Sequence, residues 1–339
     1  MDYIAPAWLP GGHLQTIYAA ALIPLPAVSY RRERWETPDG DFIDLDWVES
    51  QDPGLRIEDR GFRSEDRGSR IEDRKEAPLV VLFHGLEGCS GSHYARALMQ
   101  AIHSSGWRGV VVHFRGCSGE PNRLPRAYHS GDSAEVDWIL RRLHEAYRGT
   151  TLYAVGVSLG GNVLLKWLGE QENAAAKLVS RACAVSAPVD LMIAGDALGR
   201  GFNLFYARNF LSTLKPKSAA MLEFFPGLFD LRRLRAARTL REFDDVVTAP
   251  LHGFQNTDDY WTRASSKPLL RRVGVPTLMI NARNDPFLPQ HALPQPHEVS
   301  RHVALEFPAT GGHAGFVSGR FPGHLNWLPR RLLEFFSGT

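Results

Sequence analysis

Residues 151 to 161 read Thr-Leu-Tyr-Ala-Val-Gly-Val-Ser-Leu-Gly-Gly, a β-branched and apolar run that breaks at glycine and passes at once into the helix-prone Asn162-Val-Leu-Leu-Lys-Trp-Leu-Gly-Glu. The order is strand, sharp turn, helix. A serine at the apex of such a turn is held in a strained backbone conformation, and the residues two before and two after it must be small enough for strand and helix to cross closely. Gly156 and Gly160 hold those positions around Ser158. The turn lifts the serine hydroxyl clear of the sheet. It also aims the Leu159 amide and the N-terminus of the following helix at the space above that hydroxyl. A nucleophile elbow is built this way; the competing reading is a glycine-rich turn without chemistry.

The rest of the chain keeps the same rhythm. Strands are expected at Leu79 to Phe83, Val110 to Phe114, Leu152 to Val155, Leu178 to Ser186, Thr277 to Asn281 and Val303 to Phe307. Helices are expected at 92 to 104, 132 to 147, 159 to 170 and near 324 to 336. Repeated strand and helix units specify a parallel sheet covered on both faces. Ahead of them, residues 30 to 36 and 41 to 49 flank the turn Pro38-Asp39-Gly40 and read as an antiparallel hairpin.

Two intervals interrupt the pattern. Arg56-Ile-Glu-Asp-Arg-Gly-Phe, Arg63-Ser-Glu-Asp-Arg-Gly-Ser and Arg70-Ile-Glu-Asp-Arg-Lys form a seven-residue tandem repeat in which six arginines balance six acids. Each unit offers at most two apolar positions, too few for a coiled-coil seam, so residues 55 to 75 read as a solvated loop insertion. The second interval, 188 to 273, is rich in Phe, Tyr and Trp, far more aromatic than a surface loop. It reads as a helical cap over the sheet's carboxyl edge, with helices near 196 to 213, 217 to 224 and 230 to 241, inserted in what is otherwise a single domain over 1 to 339. Such a cap supplies apolar walls to a pocket. Most of its aromatics are expected to hold the insertion in place, with one or two, Phe205 and Phe210 among the candidates, facing substrate.

Composition narrows the function classes. Of 339 residues 44% are hydrophobic and 22% charged, with a formal net charge of +2, which offers no electrostatic footprint for nucleic acid. The three cysteines, Cys89, Cys117 and Cys183, show no CxxC or Cys/His ligand spacing, so neither a disulfide framework nor a zinc site is expected. No basic segment precedes an apolar core at Met1-Asp-Tyr-Ile-Ala-Pro-Ala-Trp, and no apolar run reaches transmembrane length. The expectation is a soluble, cytoplasmic enzyme without metal or cofactor. The apolar stretch Ile17 to Val28 could pack on the core or touch a membrane surface.

A serine hydroxyl needs a base to take its proton, and the base needs an acid to orient it. In this architecture the chain order is serine, acid, histidine, each after a strand. Asp285 follows the strand Thr277-Leu-Met-Ile, with Pro286 able to start a helix, and His313 follows the next strand in Gly311-Gly312-His313. Asp190 is the rival acid, while His291, His297 and His302 lie in polar or strand-opening positions and read as solvated. Asp285 could also serve as a helix N-cap. The oxyanion requires two preorganised amides, one after the serine and one from the loop after the first parallel strand, which points to Leu159 and Leu86. His84 reads as a residue that holds that loop in shape, and Cys89 and Cys117 as structural.

Taken together, Gly12-His13-Leu14-Gln15-Thr16, His84-Gly85-Leu86-Glu87-Gly88, Phe114-Arg115-Gly116-Cys117, Tyr128-His129-Ser130-Gly131-Asp132, Gly156-Val157-Ser158-Leu159-Gly160-Gly161-Asn162, Asn284-Asp285-Pro286 and Gly311-Gly312-His313 resemble the α/β-hydrolase superfamily, and within it the YheT-like hydrolases. That group is related to plant embryogenesis-associated proteins and animal abhydrolase-domain phospholipases. The likeness spans all of the chain except the repeat. It implies a mostly parallel eight-stranded sheet with a helical cap, a triad of Ser158, Asp285 and His313, no metal, and hydrolysis of small-molecule carboxylic or lipid esters. An acyltransferase sharing the same acyl-enzyme, or a non-catalytic ligand-binding member of the fold, are the alternatives. Acyl length and oligomeric state are not written in the sequence.

Overall fold

The computed structural model describes residues 2–49 and 77–338, so the repeat at 55 to 75 lies outside the described residues. Among the described residues eight strands form one sheet: β1 Tyr30–Glu36, β2 Phe42–Val48, β3 Leu79–Phe83, β4 Arg108–His113, β5 Leu152–Val157, β6 Arg181–Val185, β7 Thr277–Ile280 and β8 Val303–Glu306. Their spatial order is β1-β2-β4-β3-β5-β6-β7-β8. β1 and β2 pair antiparallel, β2 meets β4 antiparallel, and every pair from β4 to β8 is parallel. This is the α/β-hydrolase fold. The chain steps from β3 outward to β4 and back past β3 to β5, so the order reverses at the centre. A crevice opens at such a reversal beyond the carboxyl ends of the strands.

The period-2 alternation of the strands sorts their side chains onto two covered faces. Leu79, Val81 and Phe83 join a core with Val136, Ile139, Leu140 and Leu143 of α3 (Ser133–Ala146) and Leu164 and Trp167 of α4 (Leu159–Gln171). Val80 and Leu82 face the other way, onto Leu98, Met99 and Ile102 of α2 (His93–Ser104) and Trp327, Leu332 and Phe336 of the C-terminal helix Trp327–Ser337. A further helix, α1 (Gly12–Ala21), precedes the hairpin and covers part of the apolar stretch beginning at Ile17. Ala19 and Ile23 of that stretch are buried against Ala97, Val317 and Leu325, so it packs on the core.

Between β6 and β7 the chain forms α5 (Leu191–Leu198), α6 (Leu204–Phe224), α7 (Leu231–Ala236), short helical turns over residues 240–251, and α8 (Thr257–Ala264). Three boundaries differ from the expected ones. Asp190 caps the start of α5, accepting from the Ile193 amide at 3.2 Å, so the first helix begins earlier and ends at Leu198. The expected break at 214 to 216 is absent, because α6 runs unbroken through Pro216. Proline deprives the Ser212 carbonyl of its helical donor, but both residues are exposed and water can replace the bond. The expected helix at 230 to 241 is divided, with Asp230 capping α7 and Thr239 capping the turn Leu240–Phe243. β6 is also shorter than expected, since the Leu178 and Val179 amides bond back to the Ala175 carbonyl at 3.0 and 2.9 Å and the strand opens only at Arg181. Pro286 starts no α-helix; the next helical turn is the 3₁₀ segment Gln290–Ala292.

Pro216→Ala should restore the missing bond and raise stability by about 2 kcal/mol, less than the full helix-interior penalty because proline also restricts the unfolded chain. Thermal melting of the two proteins measures it, and an unchanged or lower midpoint contradicts this account of α6.

Candidate active site

Ser158 stands between β5 and α4 at φ 54° and ψ −121°, a left-handed backbone held by its surroundings. Its amide donates to the Val185 carbonyl at 2.8 Å, and its own carbonyl accepts from Gly161 and Asn162 at 2.8 and 3.1 Å. The two flanking glycines are sterically required. A Cβ on Gly156 would lie 2.3 Å from the Gly160 carbonyl oxygen, and one on Gly160 would lie 2.2 Å from that of Phe83.

His313 Nε2 lies 2.9 Å from Ser158 Oγ, and His313 Nδ1 lies 2.9 Å from Asp285 Oδ2. With the ring proton on Nδ1, imidazole donates to Asp285 and accepts from the serine hydroxyl. The Asp285 side chain is fully buried. Its other oxygen accepts from the Phe287 amide at 2.8 Å, a local turn in place of a helix cap. The Phe287 ring lies 4.1 Å from the His313 ring, centroid to centroid, and walls the imidazole on one side. The other candidates are placed elsewhere. Asp190 is occupied as the cap of α5, while His291 and His297 are exposed and His302 half-buried at the start of β8.

The loops that carry Asp285 and His313 are tied down by α1. Gln15 Oε1 accepts from the Gly311 amide and from Asn284 Nδ2, both at 2.9 Å. Thr16 Oγ1 accepts from the His313 amide at 2.8 Å, and Asn284 Oδ1 from that of Gly312 at 3.0 Å. Gly12 touches the same loop so closely that a Cβ there would sit 1.9 Å from the Asn284 carbonyl oxygen. Sequence reasoning noticed Gly12 to Thr16 only as part of a likeness. Its helical spacing, which sets Gly12, Gln15 and Thr16 on one side of a turn, is the signal that could have assigned it to the site.

On the far side of Ser158 lies the loop after β3. A Cβ on Gly85 would be 3.1 Å from Ser158 Cβ, which brings this loop directly over the serine. The Gly85 amide donates to Tyr94 Oη at 2.9 Å and the Glu87 amide to Tyr128 Oη at 2.7 Å. The amide between them, on Leu86, makes no hydrogen bond among the described residues, and the Leu159 amide is the first of α4, where no intrahelical acceptor exists. His84 is buried behind the loop, donating through Nδ1 to Gly85 O at 2.7 Å and accepting at Nε2 from the Phe114 amide at 3.1 Å. Burial pushes its pKa down to about 3, so it stays neutral. Glu87 adopts φ 54°. Its carboxylate accepts from Tyr128 Oη at 3.0 Å and pairs with Lys217 of α6 at 2.8 Å. The two tyrosines and Lys217 were not singled out from the sequence, because nothing in local spacing links them to Leu86.

Ser158, Leu86 and Leu159 border a cavity of about 580 Å³ roofed by α5, α6 and the segment after α7. Leu191, Ala194, Phe210, Leu214 and Met221 give it an apolar wall. More cap aromatics reach it than expected, since Phe224, Phe225, Phe243, Tyr260 and Trp261 border it beside Phe210. Phe205 does not; it is exposed on the outer side of α6. The cations at the cavity are all paired: Arg115 with Asp41 and Glu135, Arg126 with Asp132, and Lys217 with Glu87. Cys117 lies in the wall with its thiol pushed up to about 12 by burial. Among the described residues no group of three or more His, Cys, Asp or Glu converges as a metal site requires.

The profile of the alpha/beta hydrolase fold family matches residues 78–319. The chain is 37% identical over 327 residues to the candidate esterase YheT of Escherichia coli, covering 96% of this chain and 90% of that one. It is 29% identical over 335 residues to the mouse phospholipase ABHD3, covering 98% and 77%. Among solved structures, the Pyrococcus furiosus esterase Pf2001 shares the fold at a TM-score of 0.54 and 14% identity, covering 92% of this chain and 93% of that one. The strand order, the serine turn and these matches lead to one assignment: the chain belongs to the α/β-hydrolase family, in its YheT-like branch.

Proposed function

We propose that the protein is a serine hydrolase that cleaves carboxylic esters through an acyl-enzyme on Ser158. The observation that carries this reading is the hydrogen-bonded chain Ser158–His313–Asp285, opening into an apolar cavity beside the Leu86 and Leu159 amides. Ser158 Oγ attacks the ester carbonyl carbon while His313 Nε2 takes the hydroxyl proton. The oxygen, now negative, is held by the two amides, and Asp285 stabilises the imidazolium through Nδ1–H. The tetrahedral adduct collapses, His313 gives its proton to the leaving alcohol, and the acyl group stays on Ser158. Water then repeats the sequence and releases the carboxylic acid. The esterase and phospholipase names of the relatives agree with an ester substrate.

The cavity argues for a neutral acyl chain. Its wall is largely apolar and each bordering cation already has a carboxylate, so a charged acyl tail would give up hydration without gaining a partner. Lipid esters fit this description, and so do simpler acyl esters of medium length.

Ser158→Ala should abolish fluorophosphonate labelling and lower p-nitrophenyl ester turnover by at least about a thousandfold with an unchanged fold. His313→Ala should cost about as much and Asp285→Asn less, because the acid acts through the base. Full labelling of Ser158→Ala, or none of folded wild type, contradicts the assignment.

A second measurement addresses the cavity. Phe210→Ala should shift preference along a series of acyl lengths in graded steps, about 1 to 3 kcal/mol per methylene-sized change. Phe205→Ala, which alters no cavity residue, should leave the profile as it is. Equal losses at every length for Phe210→Ala would mean that its ring serves packing alone.

A further inference from the structure

One interaction at the cavity joins the insertion to the loop over Ser158. The residues of α6 that border the cavity include Phe210, Leu214, Lys217, Met221 and Phe224, spaced four and three apart on one side of the helix. Four of the five are apolar. Lys217 breaks the stripe, and its ammonium lies 2.8 Å from Glu87 Oε2. Glu87 directly follows Leu86, the residue whose amide makes no hydrogen bond among the described residues.

The pair is uneven. The Glu87 side chain is 7% exposed and that of Lys217 46%. Glu87 Oε2 is buried, accepts no hydrogen bond, and has Lys217 as its one ionic partner among the described residues. A carboxylate placed in this way has given up its hydration and relies on that cation to stay ionised. Its other oxygen shows what the charge does. Tyr128 Oη donates to Glu87 Oε1 at 3.0 Å and accepts from the Glu87 amide at 2.7 Å. A phenol has one proton, and an ionised carboxylate only accepts. With that proton committed to Oε1 in a charge-assisted bond, a lone pair of Tyr128 is left facing the amide. On the near side the Gly85 amide donates to Tyr94 Oη at 2.9 Å. Peptide units are planar, so pinning the amides of Gly85 and Glu87 restricts the Leu86 N–H between them.

We propose that Lys217 is a positioning residue for the oxyanion amide: through Glu87 and Tyr128 it holds the Leu86 N–H over Ser158. This rests on the hydrolase reading above. Without the cation, Glu87 either takes up a proton or turns toward water, and both loosen its hold on the Tyr128 hydroxyl. The helix that walls the acyl chain thus also keeps the anion-binding loop in place. A half-exposed lysine in an ion pair adds little to global stability, so its effect belongs in turnover and not in the melting temperature.

The test is steady-state kinetics on p-nitrophenyl acetate, whose short acyl group makes the least use of the apolar wall. Lys217→Met should lower kcat roughly tenfold, less than the hundredfold or greater loss of a deleted oxyanion donor, because the amide is displaced and not removed. KM should stay within about twofold, as expected when an interaction made only in the transition state is weakened, and Tm should not move. Lys217→Arg, which keeps the charge, should hold kcat within about threefold of wild type. In a Glu87→Gln background Lys217→Met should change kcat by less than about twofold, since a neutral amide needs no countercharge. Should the methionine variant not fold, Lys217→Gln takes its place with the same expected loss. An unchanged kcat in the folded variant overturns the proposal. So does a loss that Lys217→Arg fails to recover, or one that persists at full size in the Glu87→Gln background. Ser158→Ala in the same assay separates the two levels. If it abolishes turnover while Lys217→Met retains it, the positioning role alone fails; turnover that survives Ser158→Ala removes the hydrolase reading and the proposal with it.

Discussion

The site depends on how closely two backbones pass. β5 delivers the chain to Ser158 and α4 leaves it over the end of β3, at a separation that excludes even one carbon on Gly156 or Gly160. That contact explains why a non-glycine residue is held at φ 54°, a region a serine does not choose for itself. The turn stands on the buried sheet below, where Val155, Val157 and Val185 belong to one packed core. With the turn so fixed, the hydroxyl, the Leu159 amide and the overlying Leu86 loop become parts of one rigid assembly, which electrostatic stabilisation of a transient oxyanion needs.

The second requirement is that the Leu86 loop keep its shape beside a large cavity. An ionic network centred on the buried pair Arg115–Glu135 takes on that task. Arg115 donates to Glu135 at 2.6 Å and to Asp41 at 3.0 Å, and Arg126 holds Asp132 at 2.9 Å. These pairs order the segment after β4 that presents Tyr128 to the Glu87 amide. Removing one partner would leave a charge buried without compensation, a larger loss than the pair's own net contribution. The network thus serves register in a loop-rich region, beside the stacked rings of Phe114 and Tyr128.

Much of this was legible in the sequence, and the limits were physical. The parallel sheet followed from alternating strand and helix patterns, and the serine turn from its glycine spacing. Asp285 and His313 could be picked out as candidates because each follows a strand within a short, glycine- or proline-marked loop, and the structure brings both side chains to Ser158. What stayed hidden was long-range. Gln15 and Thr16 meet Gly311 and His313 across almost the whole chain, and Tyr128 meets Glu87 across another large separation. No local pattern encodes such pairings. Aromatic content marked out the interval in which the helices between β6 and β7 lie, yet their limits were misplaced wherever a side-chain cap or an exposed proline overrode propensity. Phe205 and Phe210 looked alike in sequence, and only packing separates a ring on the cavity wall from one in solvent.

The bond from Thr16 to His313 spans 297 positions, and the one from Gln15 to Gly311 spans 296. His313 follows Ser158 by 155 positions, so a chain made in order holds the serine well before the imidazole that meets it. Under the proposed mechanism the three side chains converge only once the loop after β8 has reached α1, which makes the serine the earliest of the three to be synthesised and the histidine the latest.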